Sequence, residues 1–545
     1  MSTFPQRPFF SKDFSPRGGG IDFLGLRWVN LEMLGRDLLP EINNVTQDMG
    51  TFGLGAWIPW KFHKLCREKA DCTEVKYMLF REKVEVAISL QFHSEFSRED
   101  TLGKANNRIG ATQRIKLPAK LTFSNAKRSK DNTIFAAALY GPAIRSLGLI
   151  RAYQILSADG ASSLRVPMPA ADADSTTIVE TIDESLKHSS AYNRFVTLGS
   201  QIFSPEDVKS MGGAGFDPAY WRQAKFKEFK EAFRRKLLPV DPQSPSYRRT
   251  MTAQLILTTL DQRDGLTCDD LRYAWYTGMF NDGTALVQPD PDISRQQNFW
   301  CHFMARQYQR YAMETFLYCF ELGLKDGCRT IEDHVANQIG GSKPKSGWPP
   351  TFNDILLQEA KGMARKDDTL TSQIWNKRVH PGHDRFEECD EGYDDLPCFC
   401  ACRLLARWFW RMLIHYEDRS NKPLFELGGS DRMGMAWFLA WIQERRNMPL
   451  RDFLHDVFAD LVFSQHMRVA LSRFDGNAQR LRFMLGDSGI EPTAGISDLG
   501  ERGIPWMPDR LDTFTYLLCD AEVLVRDDQG SLTPGKMAKK VWSAT

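Results

Sequence analysis

The 545-residue chain has little cysteine, almost no net charge and no long apolar run, and each shortage removes a class of protein. Eleven scattered cysteines are too few for a disulfide framework, and their odd number leaves at least one unpaired, so the sequence predicts a reducing, cytoplasmic setting. With 70 Lys and Arg against 69 Asp and Glu, the net charge is +1, and any nucleic-acid affinity must come from a local patch. No run of about 18 apolar residues offers a membrane span, and no charged-then-apolar leader opens the chain. Complete catalytic signatures are missing too. There is no H-E-x-x-H, G-x-S-x-G, paired C-x-x-C or kinase set, so no catalytic residue is assigned and the default is a non-enzymatic protein.

What is present is a hydrophobic content of 42%, enough for several buried cores. Pro5, Pro8, Pro16 and Gly18 to Gly20 lack apolar periodicity and predict a flexible arm over residues 1–20. The stretch from Ile21 to His63 is the densest in large apolar side chains. Leu31, Leu34, Leu38 and Leu39 precede a stop at Pro40, and Trp57, Ile58, Trp60, Phe62 and Leu65 follow the polar corner Asn43-Asn44-Val45-Thr46. That spacing predicts two helices joined by a capped turn.

The run Leu38 to Thr46 with Ala56-Trp57-Ile58, the run Tyr140 to Leu149 and the run Gln465 to Leu471 together resemble a family of uncharacterised bacterial proteins encoded in phage-defence islands. The resemblance spans most of the chain and implies an antiviral multi-protein system. It brings no catalytic residues with it.

Further along, the segment Lys104 to Lys130 carries Lys104, Arg108, Arg114, Lys116, Lys120, Lys127, Arg128 and Lys130 with no Asp or Glu between them. Such point charges neutralise phosphates and release counterions, which makes this run the candidate contact to double-stranded DNA; a solvated loop is the bland alternative. Directly after it come a helical pattern over Phe135 to Leu147, a stop at Gly148 and two short extended runs around Asp159-Gly160. The same order recurs near the end, with a helix over Arg510 to Leu518, an extended Glu522 to Val525, a turn at Asp527 to Gly530 and a return over Ser531 to Thr533. Both read as winged-helix-like units, a layout that serves DNA contact and protein–protein contact alike. Gly530 to Lys536 imitates half of a phosphate loop, but Met537 stands where the magnesium-binding hydroxyl would be, so it reads as a wing.

The body between these ends reads as helical. Tyr220 to Leu238 is amphipathic with a basic face of Lys225, Lys227, Lys230, Arg234, Arg235 and Lys236, and Asn298 to Leu324 is apolar on more than one side, as a central helix would be. His466 sits on the apolar face of a helix from Leu450 to Phe474 and reads as a core histidine. The fold expected is therefore mainly α, with small hairpins near both ends. Its domains would be an arm (1–20), an N-terminal helical domain with a winged-helix-like unit (21–170), a central helical domain (171–340), a linker (341–350) and a C-terminal helical domain (351–545).

One metal cluster stands out. His380, His383, Cys389, Cys398, Cys400 and Cys402 are the residue types zinc takes in fours, although the spacing matches no strong template and Cys398 and Cys402 could be core residues one helical turn apart. No cofactor is required by the sequence; a structural zinc is the one it allows. The function expected is a DNA-binding or scaffolding subunit working with other protein subunits and no membrane. The competing reading is a metal-dependent nuclease or other effector, for which Glu74-Val75-Lys76 is only a bare triplet.

Overall fold

The segment read as central forms a 35-residue helix, Pro291–Lys325, about 52 Å long at 1.5 Å per residue. Its start is fixed by Asp290, whose carboxylate accepts the backbone N–H groups of Asp292 and Ile293 at 2.7 and 3.2 Å. Pro291 fits the first turn because its missing N–H would be an orphan there. Asp292 and Lys325 lie at the ends that the helix dipole favours for their charges. The molecule is represented by a computed structural model, which describes residues 22–43, 48–68, most of 73–84, 141–151, 155–156, 163–164, 167–197, 207, 210–363 with short gaps, 397–417, 422–473, 481–493, 499–500 and 508–542.

The described chain is mainly helical with a few two-stranded antiparallel sheets, as its patterning predicts. It divides into two compact units, each assembled from separated stretches: Met1–Leu34 with Asp269–Met507, and Gly35–Cys268 with Pro508–Thr545. The breaker-rich residues 340–350 fall inside the first unit.

In the first unit the central helix packs along Pro397–Glu417 and against Ile331–Gly340. It buries Trp300, Phe303, Phe316 and Phe320 together with Trp408, Phe409 and Phe458. Arg310 and Glu314, one turn apart and both buried, pair at 2.7 Å, as their spacing predicts. Arg306, also fully buried, donates to the carbonyl oxygens of Arg432 at 3.1 Å and Met433 at 2.5 Å and to Gln309 at 2.6 Å. It thereby satisfies backbone groups at a place where Met433 has φ 49. The pattern from Leu450 to Phe474 forms one helical run, Leu450–Asp456, Val457–Ser464 and Gln465–Ser472, whose middle part is a π-helix. His466 is indeed a satisfied core histidine. The Arg482 backbone N–H donates to its Nε2 at 2.9 Å, so its Nδ1–H faces the Phe23 carbonyl at 3.3 Å.

In the second unit, Met49–Glu68, Ala173–Lys187 and Lys227–Leu237 pack together. Gly53 permits the close approach, since a Cβ there would stand 2.7 Å from Ile182 and 3.0 Å from Phe229. A buried polar knot ties the first two of these helices to Tyr192. Asp183 accepts from Trp57 Nε1 at 3.1 Å and from the Tyr192 hydroxyl at 2.6 Å, and pairs with Lys61 at 3.1 Å. Burial pushes the Asp183 carboxyl up, but the Tyr192 hydrogen bond and the Lys61 charge outweigh it and hold the group below its ordinary range.

Candidate functional site

The C-terminal helix–hairpin segment forms as expected and the N-terminal one forms in its described part, with Phe135 to Tyr140 and the turn at Asp159-Gly160 lying outside the described residues; both segments belong to the second unit. Gly141–Ser146 ends at Gly148, which has φ +69, the left-handed conformation glycine allows. The returning strands pair Ile150 with Pro169, Arg151 with Met168, Ile155 with Leu164 and Leu156 with Ser163. The segment is pinned at its root, where the Gly148 carbonyl accepts from Ser175 Oγ and Lys236 Nζ, both at 3.3 Å. Near the other end, Leu511–Asp520 leads into Leu524–Arg526 paired with Leu532–Pro534. The Gly530-to-Lys536 run is thus the turn and return strand of a hairpin, with Lys536 paired to Glu522 at 2.8 Å. This hairpin's turn, Asp527-Asp528-Gln529-Gly530, is closed by Asp527, whose carboxylate accepts the N–H groups of Gln529 and Ser531.

The eight basic residues from Lys104 to Lys130 lie outside the described residues, as do His380, His383 and Cys389. Cys398, Cys400 and Cys402 are described, and all three are buried on Pro397–Glu417. The residue that joins them is one the sequence does not flag: Cys319, on the central helix, shares a thiol hydrogen bond with Cys398, which Cys402 also bonds. Those hydrogen bonds draw the Cys398 thiol down, while burial pushes Cys319 and Cys402 up. Among the described residues, no three His, Cys, Asp or Glu side chains are grouped to hold a metal ion. Among the described residues Cys66 is disulfide-bonded and eight cysteines carry no disulfide.

The basic face of Tyr220 to Leu238 is resolved differently from its pattern. Its first part is a 3-10 turn, Pro218–Arg222, and the helix proper is Lys227–Leu237. Most of its cations have acidic partners within the unit. Lys230 meets Glu522 at 2.9 Å, Arg235 meets Asp174 at 2.6 Å, and Lys236 meets Asp172 at 2.8 Å. Arg222 binds Asp520 at 2.6 Å and also Asp48. These charges hold helices together; they do not make a free cationic face.

No known protein family, curated protein or solved structure matches this chain.

A groove that the sequence gives no warning of runs along the outer face of Ala173–Lys187. It has a volume of about 490 Å³ and is lined on that helix by Thr177, Glu180, Thr181, Glu184, Ser185 and His188. These fall at intervals of three and four residues, so they form one stripe. Its opposite wall is Tyr220, Lys225, Phe226 and Glu228. At its floor the Tyr220 hydroxyl accepts from Lys225 Nζ at 2.9 Å and faces Ser185 Oγ at 3.3 Å, while Ser185 donates to the Ala214 carbonyl at 2.7 Å. Burial raises the Tyr220 phenol, but the hydrogen bonds with Lys225 and Ser185 and the Lys225 charge outweigh it, leaving the group below its ordinary value. No described helix is long and apolar enough to cross a membrane.

Proposed function

We propose that the chain is a DNA-associating scaffold subunit of a bacterial multi-protein system, antiviral in role as the family resemblance implies. The two activities fall on different parts of the chain. Backbone contact belongs to the run from Lys104 to Lys130, because the other basic stretch, Tyr220 to Leu238, has most of its cations engaged by Asp172, Asp174, Glu522 and neighbouring acids.

The observation that carries this reading is the anchored helix–glycine–hairpin segment immediately following the run. Its root is held by Ser175 and Lys236, and Arg151 is exposed on its first strand. A basic segment tethered to a fixed hairpin can lie along one stretch of duplex without reading bases. The C-terminal hairpin suits the scaffold role. Asp527 and Asp528 at its turn repel phosphate, and Val525 on its outer face is 55% exposed, a combination that favours protein contact.

The test is a titration of the full chain with unrelated duplexes of equal length, on the wild type and on a variant with Arg114, Lys116 and Lys120 changed to Ala. The reading expects weaker binding of the variant to every duplex alike. Affinity for one duplex far above the rest, or no loss in the variant, would oppose it.

A further inference from the structure

The groove beside Ala173–Lys187 already holds one cation of the protein's own. The Tyr220 and Phe226 rings lie 5.1 Å apart at 53°, and Lys225 Nζ sits over both, 4.6 Å from the Tyr220 centroid and 4.9 Å from the Phe226 centroid. Two ring faces converging on one ammonium make a cation-accepting seat. Phe226 is held in place by the buried Trp221, 4.7 Å away, so the seat is rigid on one side. Lys225 is an exposed side chain on a flexible stem, and Tyr220 has contacts besides it, with Ser185 Oγ at 3.3 Å and with the Trp221 ring at 5.5 Å.

The rim is acidic. Glu180, Glu184 and Glu228 line the groove against the single cation of Lys225, and all three are exposed. Lys187 engages Glu184 from outside the lining, which leaves Glu180 and Glu228 on opposite walls flanking the seat. A fixed negative field around an aromatic pair selects cations over anions. The stripe from Thr177 to His188 is about 16 Å long at 1.5 Å per residue, the length of about five residues of extended peptide. A small amine would fill only the seat; a chain segment fills the length.

We propose that this groove is a docking site for an extended, basic segment of a protein partner, which places a lysine or arginine side chain between Tyr220 and Phe226 in exchange for Lys225. The proposal goes beyond the DNA role and stands independently of it, since every residue in it is remote in sequence from the run between Lys104 and Lys130. It gives the scaffold a defined way to hold another subunit, in which the protein's own lysine competes with the partner's.

The test uses the full chain and a fluorescently labelled peptide of alternating serine and lysine, with a serine–glutamate peptide as control and anisotropy as the readout. The lysine peptide binds and the glutamate peptide does not. Lys225→Ala vacates the seat and removes a positive charge from the groove, so it tightens lysine-peptide binding by about tenfold. The double variant Glu180→Gln with Glu228→Gln weakens it by about tenfold or more. Both variants change exposed side chains, and unaltered thermal melting verifies that they fold. Three results overturn the proposal: unchanged or weaker peptide binding in Lys225→Ala, unchanged binding in the glutamine double variant, or spermine binding at this site as tightly as the peptide, which would make the groove a small-cation site.

Discussion

His334 lies on the helix Ile331–Gly340, fully buried and stacked on Phe320 with centroids 3.8 Å apart and planes at 14°. Neither ring nitrogen has a hydrogen-bond partner among the described residues. Burial opposes the imidazolium and lowers the group from its ordinary 6.5 to about 4. The unfolded chain therefore takes up this proton near pH 6.5 and the folded chain only near pH 4, so stability is full above pH 6.5 and is lost on acidification through that window. Worked between pH 7 and pH 4.5, the lag costs about 2 kcal/mol for this one group. His302, also buried, is lowered to about 4 by the same cause and adds a similar loss. The perturbation is His334→Leu, which keeps an apolar filling of similar volume and removes the titration. At pH 7 the variant should lie within about 2 kcal/mol of wild type, the cost of repacking against Phe320. Urea unfolding at pH 7 and pH 4.5 reads the result. The difference in stability between the two pH values should shrink by about 2 kcal/mol in the variant. An unchanged difference would refute the claim that His334 is a neutral, buried ring.

Other consequences follow from the same packing. Glu321 is buried, accepts from Arg482 Nη2 and the Gly500 N–H, both at 3.1 Å, and also pairs with Arg482 Nε, so Glu321→Ala should cost about 3–5 kcal/mol in denaturant unfolding by stranding the Arg482 charge. A loss below about 1 kcal/mol would mean that Arg482 finds water. Arg306→Met removes the donors that satisfy the Arg432 and Met433 carbonyls and should cost about 2–3 kcal/mol; a neutral effect would show that those carbonyls are hydrated. Cys319, Cys398 and Cys402 should resist alkylation in native protein and react fully in denaturant, as peptide mapping would read; native labelling of Cys398 would contradict its burial.

Much of the fold was legible because local signals and burial agree. Gly148 stops a helix because its conformation needs glycine, and the turn residues around Gly530 make the hairpin their types predict. The central helix announces itself by being apolar on more than one side, and His466 by sitting on an apolar helix face. The two-unit assembly was not legible, because its divisions carry no break in composition. The first falls at Leu34 and Gly35, inside a continuous helical stretch, while Asn30 donates to Gln307 at 3.1 Å across a separation no local pattern encodes. Residues 340–350 fall within the first unit, where the Pro350 carbonyl accepts the Leu450 N–H at 2.8 Å. The ion pairs of the basic face of Tyr220 to Leu238 could not be read locally, since the acidic partners Asp172, Asp174 and Glu522 come from distant segments. The groove has only one trace in the sequence, Glu180, Glu184 and His188 spaced along one helix face, and that spacing is common on solvated helices.

The salt dependence of duplex binding tests the proposed DNA role most directly. The measurement is the slope of log affinity against log salt concentration for the wild type and for the variant with Arg114, Lys116 and Lys120 all changed to Ala. Each lost phosphate contact removes about one unit of slope, so the variant should bind more weakly and its slope should be shallower by up to about three units. Thermal melting of both proteins is compared alongside, so that a loss of binding is distinguished from a loss of folding. Equal affinities and equal slopes for the two proteins would contradict the proposed DNA role.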